Sequence, residues 1–538
     1  MKHLTGLMFA ALTAALLLAA CQPAAGGGEA RTVYRGNTIE PLSLDPDKAH
    51  IMDERVIIAD LFTGLYEPTA NARPVPALAS ASEVSDDGLV WTFTLREALW
   101  SDGTPITADD VVFGLQRALD PATGNQFGAP LFPIANAQAV YEGRVPPASL
   151  GVRAIDERTV EMTLEGPTPF LPSILMFWGQ PVPRHVVEAH GDAWIRPDNI
   201  VTSGAFTLVD WRVNDFIHLR ANPTFFDAAN VCLTDVYYFP TVDTAAAERR
   251  VRSGELDLNN DFASGNTAFL TERAPEIVRV APGTLSRTLD FNTTSPPFDD
   301  VRVRRALAMA IDRAFITDTV LGGSDMPATR VVAEGIAGRR DDVRIDYIDQ
   351  SMEARRAEAR ALLEAAGFGP DNPLAFTLFY QPSASWPRTV PVIQQDWATI
   401  APWVQVELAG RDSQLHYDAM RVGDFQVATS GWVPDFDDPY AYLLQWETRA
   451  GEINYARYSN PDFDALTAAA VATPDPAERA DLLAQAERLF LADSASTPIL
   501  FEASRDLVSP RITGWQTNRV GINQRRWLCT TDVVEASE

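Results

Sequence analysis

Hydrophobic and polar positions alternate with two different periods along this chain, and the stretches where each period holds divide it into strands and helices. Phe425, Val427 and Thr429 alternate with Gln426, Ala428 and Ser430, a period of two that predicts a strand ended by Gly431 and Trp432. Pro434 and Pro439 then bracket Asp435, Asp437 and Asp438, so the chain leaves the sheet through a stiff, turned loop carrying carboxylates. Asp438 suits an N-cap and Pro439 a first helical turn, which predicts a helix through Tyr440, Leu443 and Leu444. Strand, aromatic residue, acidic loop and helix start together build the mouth of a ligand cleft in α/β proteins. Asp438 reads most simply as a cap. Asp435 precedes the cap and follows Trp432 by three residues, a place from which it can face a cleft and hold a cation such as an ammonium group.

The same periods organise the rest. TVYRG at 32–36 predicts a first strand, and an apolar helical run through Ile57, Ile58, Leu61 and Phe62 follows LDPDK at 44–48. LVWTFTL at 89–95 predicts a strand, Ser101-Asp102-Gly103 a turn, and Thr107 with Asp110 the capped start of a helix burying Val111, Leu115 and Leu119. Strands at 158–164 and 204–210 flank a proline-rich apolar segment that reads as core packing. Residues 286–316 predict a strand, a Pro296-Pro297 turn and a long helix with Val303, Leu307, Ala310 and Ile311 inward. A strand that runs out of a domain into a rigid turn is a natural hinge. Beyond it come a helix over 351–367, a strand over 374–380, a helix over 391–400 and a strand over 404–410, an alternation that predicts parallel α/β architecture. A helix from about 475 to 492 and strands near 499–512 close the pattern.

At 538 residues the chain is too long for one core and predicts about three folding units, built from discontinuous segments. A net charge of −28 with only 44 Lys+Arg argues against a nucleic-acid binder, because little here would neutralise a phosphate backbone. The acidity itself reads as solubility. Lys2, the apolar run Leu4 to Leu18 and Ala19-Ala20 predict a signal peptide over residues 1–20. LAAC at 18–21 resembles a bacterial lipobox, so Cys21 is expected to carry the lipid that attaches the chain to a membrane, with residues 22–30 as a flexible tether. Cys232 and Cys529 then remain in an exported, oxidising setting. A disulfide between them is expected, against the alternative of two buried free thiols.

No HExxH, CxxC, GxSxG or Walker-type GxxxxGK[ST] is present, and the six histidines are scattered, so no metal or nucleotide site is predicted. Paired carboxylates capable of general acid/base work keep a secreted hydrolase as the competing class.

LDPDK at 44–48, VWTFTLREALWSDGTPITADDVVF at 90–113, NIVTSGAFTLVDW at 199–211, RSGELD at 252–257, PPFDDVRVRRALAMAIDR at 296–313 and FQVATSGWVPDFDDP at 425–439 stand in an order that resembles bacterial solute-binding family 5, the oligopeptide-binding proteins of ABC importers. The resemblance spans about residues 33 to 510. It implies a two-lobed α/β periplasmic-binding-protein fold of the class II type. Residues 31–62, 63–188 and 189–288 would form lobe I with its two subdomains, 289–507 lobe II, and 508–538 a return to lobe I.

The resemblance also assigns roles by position. Asp435 matches the aspartate that binds a peptide's α-amino group, in agreement with the cleft reading above. Trp432, Gly431, Ser430 and Thr429 match the strand that pairs with peptide backbone. Asp290 matches an acidic residue on the opposing wall, and His50, Ile51, Met52 and Phe127 fall where the smaller subdomain approaches the ligand. One departure stands out. The family's arginine for the ligand's C-terminal carboxylate is Thr429 here, with Arg421 nearby in sequence as a candidate substitute. The resemblance thus implies a monomeric, cofactor-free binding protein, not an enzyme, periplasmic or at the cell surface. Its expected partners are an oligopeptide, an ABC permease with its ATPase, and the membrane. Alternative cargoes on the same fold are a murein peptide, an opine or a metal chelate, and a sensor is the alternative role.

Overall fold

The computed structural model describes residues 31–49, 51–69, 73–382, 385–518 and 523–531. The signal peptide, Cys21, the tether and His50 lie outside them. A seven-stranded mixed sheet runs in the order Val278–Ala281, Ser504–Val508, Leu258–Asn260, Thr32–Gly36, Asp235–Phe239, Phe216–Ala221 and Phe206–Arg212. Thr32–Gly36 is parallel to both neighbours and the outer pairs are antiparallel. Helix Met52–Leu61 lays Val56, Ile57 and Leu61 on this sheet, in one core with Val33, Leu219, Val236, Leu258 and Val508.

A second, antiparallel sheet of four strands, Ala79–Val84, Val90–Leu95, Thr159–Thr163 and Val152–Asp156, carries helix Ala108–Leu119. Val111, Leu115 and Leu119 are buried there, and the Thr107 amide donates to Asp110 Oδ2 at 2.9 Å, as the capping pattern predicts. This unit is fixed to the first sheet by ions. Arg117 on the helix pairs with Asp45 and Asp47 of the LDPDK turn, which accounts for that motif.

Lobe II is built on six strands, in the order Met326–Pro327, Ser496–Phe501, Ser286–Phe291, Val427–Trp432, Leu374–Tyr380 and Val404–Gly410. The expected parallel architecture holds for the last three. The others are antiparallel because Ser286–Phe291 brings the chain into the lobe and Ser496–Phe501 takes it out. The long helix expected to 316 stops at Ala310, and a second segment, Phe315–Val320, follows. Arg313 occupies the break, donating to the carbonyls of Ala308, Ile311 and Pro498 and to Thr497.

The chain changes sheet between 281 and 286 and again between 501 and 504, somewhat earlier than the expected 288/289 and 507/508. Gly283 sits where these crossings touch: a Cβ there would lie 1.8 Å from the Glu502 carbonyl oxygen. Arg505, buried beside it, pairs with Asp261, Asp325 and Glu502. Near the C-terminus, Cys529 is disulfide-bonded to Cys232, with 5.3 Å between their Cα atoms. No helix among the described residues is long and apolar enough to cross a membrane.

Candidate functional site

A cavity of about 340 Å³ lies where the two crossings meet the lobes. Lobe I supplies Arg55, Phe177, Trp178 and Asn260, the hinge Gly283 and Ser504, and lobe II Val433, Pro434 and Asp435. The lobes are in contact around it. Phe436 stacks on Phe170 of the small subdomain at 4.2 Å and 7°, and together with Ala441 joins that subdomain's core.

Asp435 is half-buried, and among the described residues no hydrogen bond or ion pair engages its carboxylate. Burial pushes its pKa up to about 6, and the positive charge of Arg55 only partly offsets this. The other acids of the cavity are engaged. Asp261 accepts from the Phe262 amide and Arg505, Glu502 pairs with Arg287 and Arg505, and Asp506 takes a hydrogen bond from Ser504. Arg55 reaches the cavity from helix Met52–Leu61. Its guanidinium lies 3.3 Å from the centre of the Trp178 ring and donates to the carbonyls of Phe177 (2.9 Å) and Ala49 (2.7 Å). Asn260 adds a buried side-chain oxygen with no partner among the described residues.

The strand Val427–Trp432 leads into this space. On one side all of it pairs with Ser286–Phe291. On the other, strand Leu374–Tyr380 covers only Val427 and Ala428, which leaves the edge from Thr429 to Trp432 without a strand partner. His416 bonds the Thr429 carbonyl at 2.7 Å, so the rest of the edge is what a guest backbone can address. The side chains here serve the fold: Thr429 and Ser430 are buried, and Trp432 Nε1 donates to the Ala441 carbonyl.

Asp290 does not reach the cavity. It is buried inside the lobe II sheet, where Thr288, Ser430 and Ser496 bond it and burial raises its pKa to about 6. Ile51 precedes helix Met52–Leu61 and its carbonyl accepts the Arg55 amide. Met52 opens that helix. Phe127 stacks on Trp178 at 5.4 Å, behind the cavity lining. Arg421 pairs with Asp418 at the surface and brings no charge to the cleft. Arg55, Trp178 and Asn260 escaped the sequence reading because nothing in their local pattern sets them apart from helix-face, core or strand-end residues.

Two lobes joined by crossing strands around a cleft, with unspent polar groups on both walls, define a solute-binding protein, a class that closes on its ligand and carries out no chemistry on it. The model of bacterial extracellular solute-binding proteins, family 5, matches residues 73–454. The chain belongs to this family and is a binding protein, not an enzyme. It is 34% identical over 516 residues to the periplasmic oligopeptide-binding protein OppA of Escherichia coli, covering 95% of this chain and 94% of that protein. It is 36% identical over 512 residues to the E. coli protein named "Probable deoxycholate-binding periplasmic protein YgiS", covering 94% of each. The solved structure of the E. coli murein tripeptide binding protein MppA matches with a TM-score of 0.81 at 32% identity, covering 93% of this chain and 99% of that one.

Proposed function

We propose that this protein is the substrate-binding component of an ABC importer for oligopeptides, working as a monomer in the periplasm and held at the membrane by lipid on Cys21. It delivers its cargo to a permease whose ATPase supplies the energy. The observation that carries this reading is the free strand edge Ser430–Trp432 running to Asp435, a cleft carboxylate without a protein partner among the described residues. An extended peptide adds backbone hydrogen bonds to such an edge whatever its side chains, and its α-ammonium gives Asp435 the counter-charge that burial demands. Ligand contacts made by both lobes are what shift the equilibrium toward the closed form. Relatives named for peptides support the reading.

The test compares Asp435→Ala with wild type in calorimetry, using trialanine and N-acetyl-trialanine. The substitution weakens the free-amine peptide about tenfold or more and leaves the acetylated one nearly unaffected; equal losses for both refute the assignment. A second reading changes only the cargo, to a murein peptide. It is favoured by Arg421 being spent on Asp418, which leaves no arginine of that segment to clamp a simple C-terminal carboxylate. Mass spectrometry of ligand released from the purified protein distinguishes the two.

A further inference from the structure

The cleft holds two opposite charges that the protein keeps apart. Arg55 comes from lobe I and Asp435 from lobe II, both line the same cavity, and they form no direct ion pair. Each lacks compensation of its own. Asp435 has no hydrogen-bond partner among the described residues, and Arg55 donates only to two neutral carbonyls. The other arginine of the cavity, Arg505, is already surrounded by Asp261, Asp325 and Glu502. Burial lowers the Arg55 guanidinium to about 10 although Asp435, Glu54 and Asp47 all act on it in the opposite sense. Of these, Asp47 is paired with Arg117 and Glu54 accepts the amides of Leu42 and Ser43.

Nor can the two groups easily meet. Arg55 is fixed by the Trp178 ring, which is backed in turn by Phe127, and by the carbonyls of Phe177 and Ala49. Asp435 is fixed by Pro434 on one side and by Phe436, wedged against Phe170, on the other. The two carbonyl bonds leave the guanidinium three N–H donors, enough for a carboxylate. A guest carrying both charges close together satisfies both walls at once and bridges the lobes.

We infer that Arg55 determines specificity, and that the preferred cargo has a zwitterionic head: a peptide whose first residue bears a carboxylate, with its α-ammonium on Asp435 and its side-chain carboxylate on Arg55. This rests on the peptide reading above. Isothermal titration of three peptides tests it: trialanine, and the same peptide with glutamate or with glutamine in first position. Glutamate and glutamine match in shape and differ in charge. Wild type binds the glutamate peptide about tenfold more tightly than the glutamine peptide, Arg55→Met brings the ratio to about one, and Arg55→Lys keeps part of the preference. Thermal melting of each variant checks that it is folded, and the wild-type ratio is informative even if Arg55→Met is not. Equal wild-type affinities for the glutamate and glutamine peptides, or a preference that survives in folded Arg55→Met, overturn the inference while leaving the peptide reading intact. Failure of all three peptides to bind wild type overturns the peptide reading, and the inference with it.

Discussion

The rings of Phe170 and Phe436 lie face to face at 4.2 Å, and they belong to different lobes. Because Phe436 follows Asp435 directly, the loop that presents the cleft carboxylate also latches lobe II onto the small subdomain. On the proposed peptide reading, a guest held by Asp435 and closure held by Phe436 would be coupled through two adjacent residues.

Phe436→Ala should therefore weaken ligand binding by about tenfold or more, since an aromatic pair contributes on the order of 1 kcal/mol beyond the apolar area it buries. Small-angle scattering should show the variant more open than wild type at equal ligand concentration. Unchanged affinity together with an unchanged radius of gyration would remove the latch.

Affinity for a free-amine peptide should fall in acid. Asp435 must be ionised to hold an ammonium, and with its pKa raised to about 6 binding is full above that value and drops by about tenfold between pH 7 and pH 5. Asp506, pushed up to about 7 by burial, lines the same cavity from the lobe I sheet, so Asp435→Asn is the needed control. Its affinity is lower throughout, and calorimetry should find most of the acid dependence gone.

Asp290 gives the opposite sign for stability. Its folded pKa of about 6 exceeds the ordinary 3.8, so the fold favours the protonated form, and the stability this contributes is full below 3.8 and lost as pH rises through 6. Asp290→Asn should be more stable than wild type at pH 7.5, by on the order of 1–3 kcal/mol, and similar to it at pH 4. Denaturant titrations at the two pH values check this, and an equal loss at both would contradict it.

The C-terminal segment is tied to lobe I by Arg525, fully buried, which pairs with Asp60 at 2.8 Å while Tyr238 donates to the same carboxylate at 2.6 Å. Arg525→Met strands that carboxylate and should cost about 3–5 kcal/mol, read as a lowered melting temperature. Replacing Asp60 and Arg525 together should cost less than the sum of the single changes.

Much of the architecture is legible in the sequence because it depends on local periodicity. The strand over 374–380 and its neighbour over 404–410 fall on the alternating stretches, and the Thr107–Asp110 cap marks its helix start. The break at Ile311 is hidden there, because the Arg313 guanidinium that bonds the open carbonyls of Ala308 and Ile311 is held in place by Pro498 and Thr497, far along the chain. The antiparallel half of the lobe II sheet is hidden for a related reason: helix and strand alternation says nothing about where the chain re-enters a lobe. The pattern around Asp290 does not distinguish a cleft wall from a buried node, and the hydroxyls of Ser430 and Ser496 on the two flanking strands, with Thr288 of its own strand, decide that it is the latter.

By itself the sequence determined the excess of acid, a sum over its residues that argues against a nucleic-acid partner, and also the α/β elements and the acidic loop of Asp435, Asp437 and Asp438 between two prolines before a helix, since these depend on residues near one another in the chain. Only the tertiary structure decided what faces Asp435. Arg55 lies 380 positions earlier in the chain, and its place across one cavity from that carboxylate depends on two lobes folding around a shared hinge, where partial burial thins the water around both charges and leaves each in need of a partner.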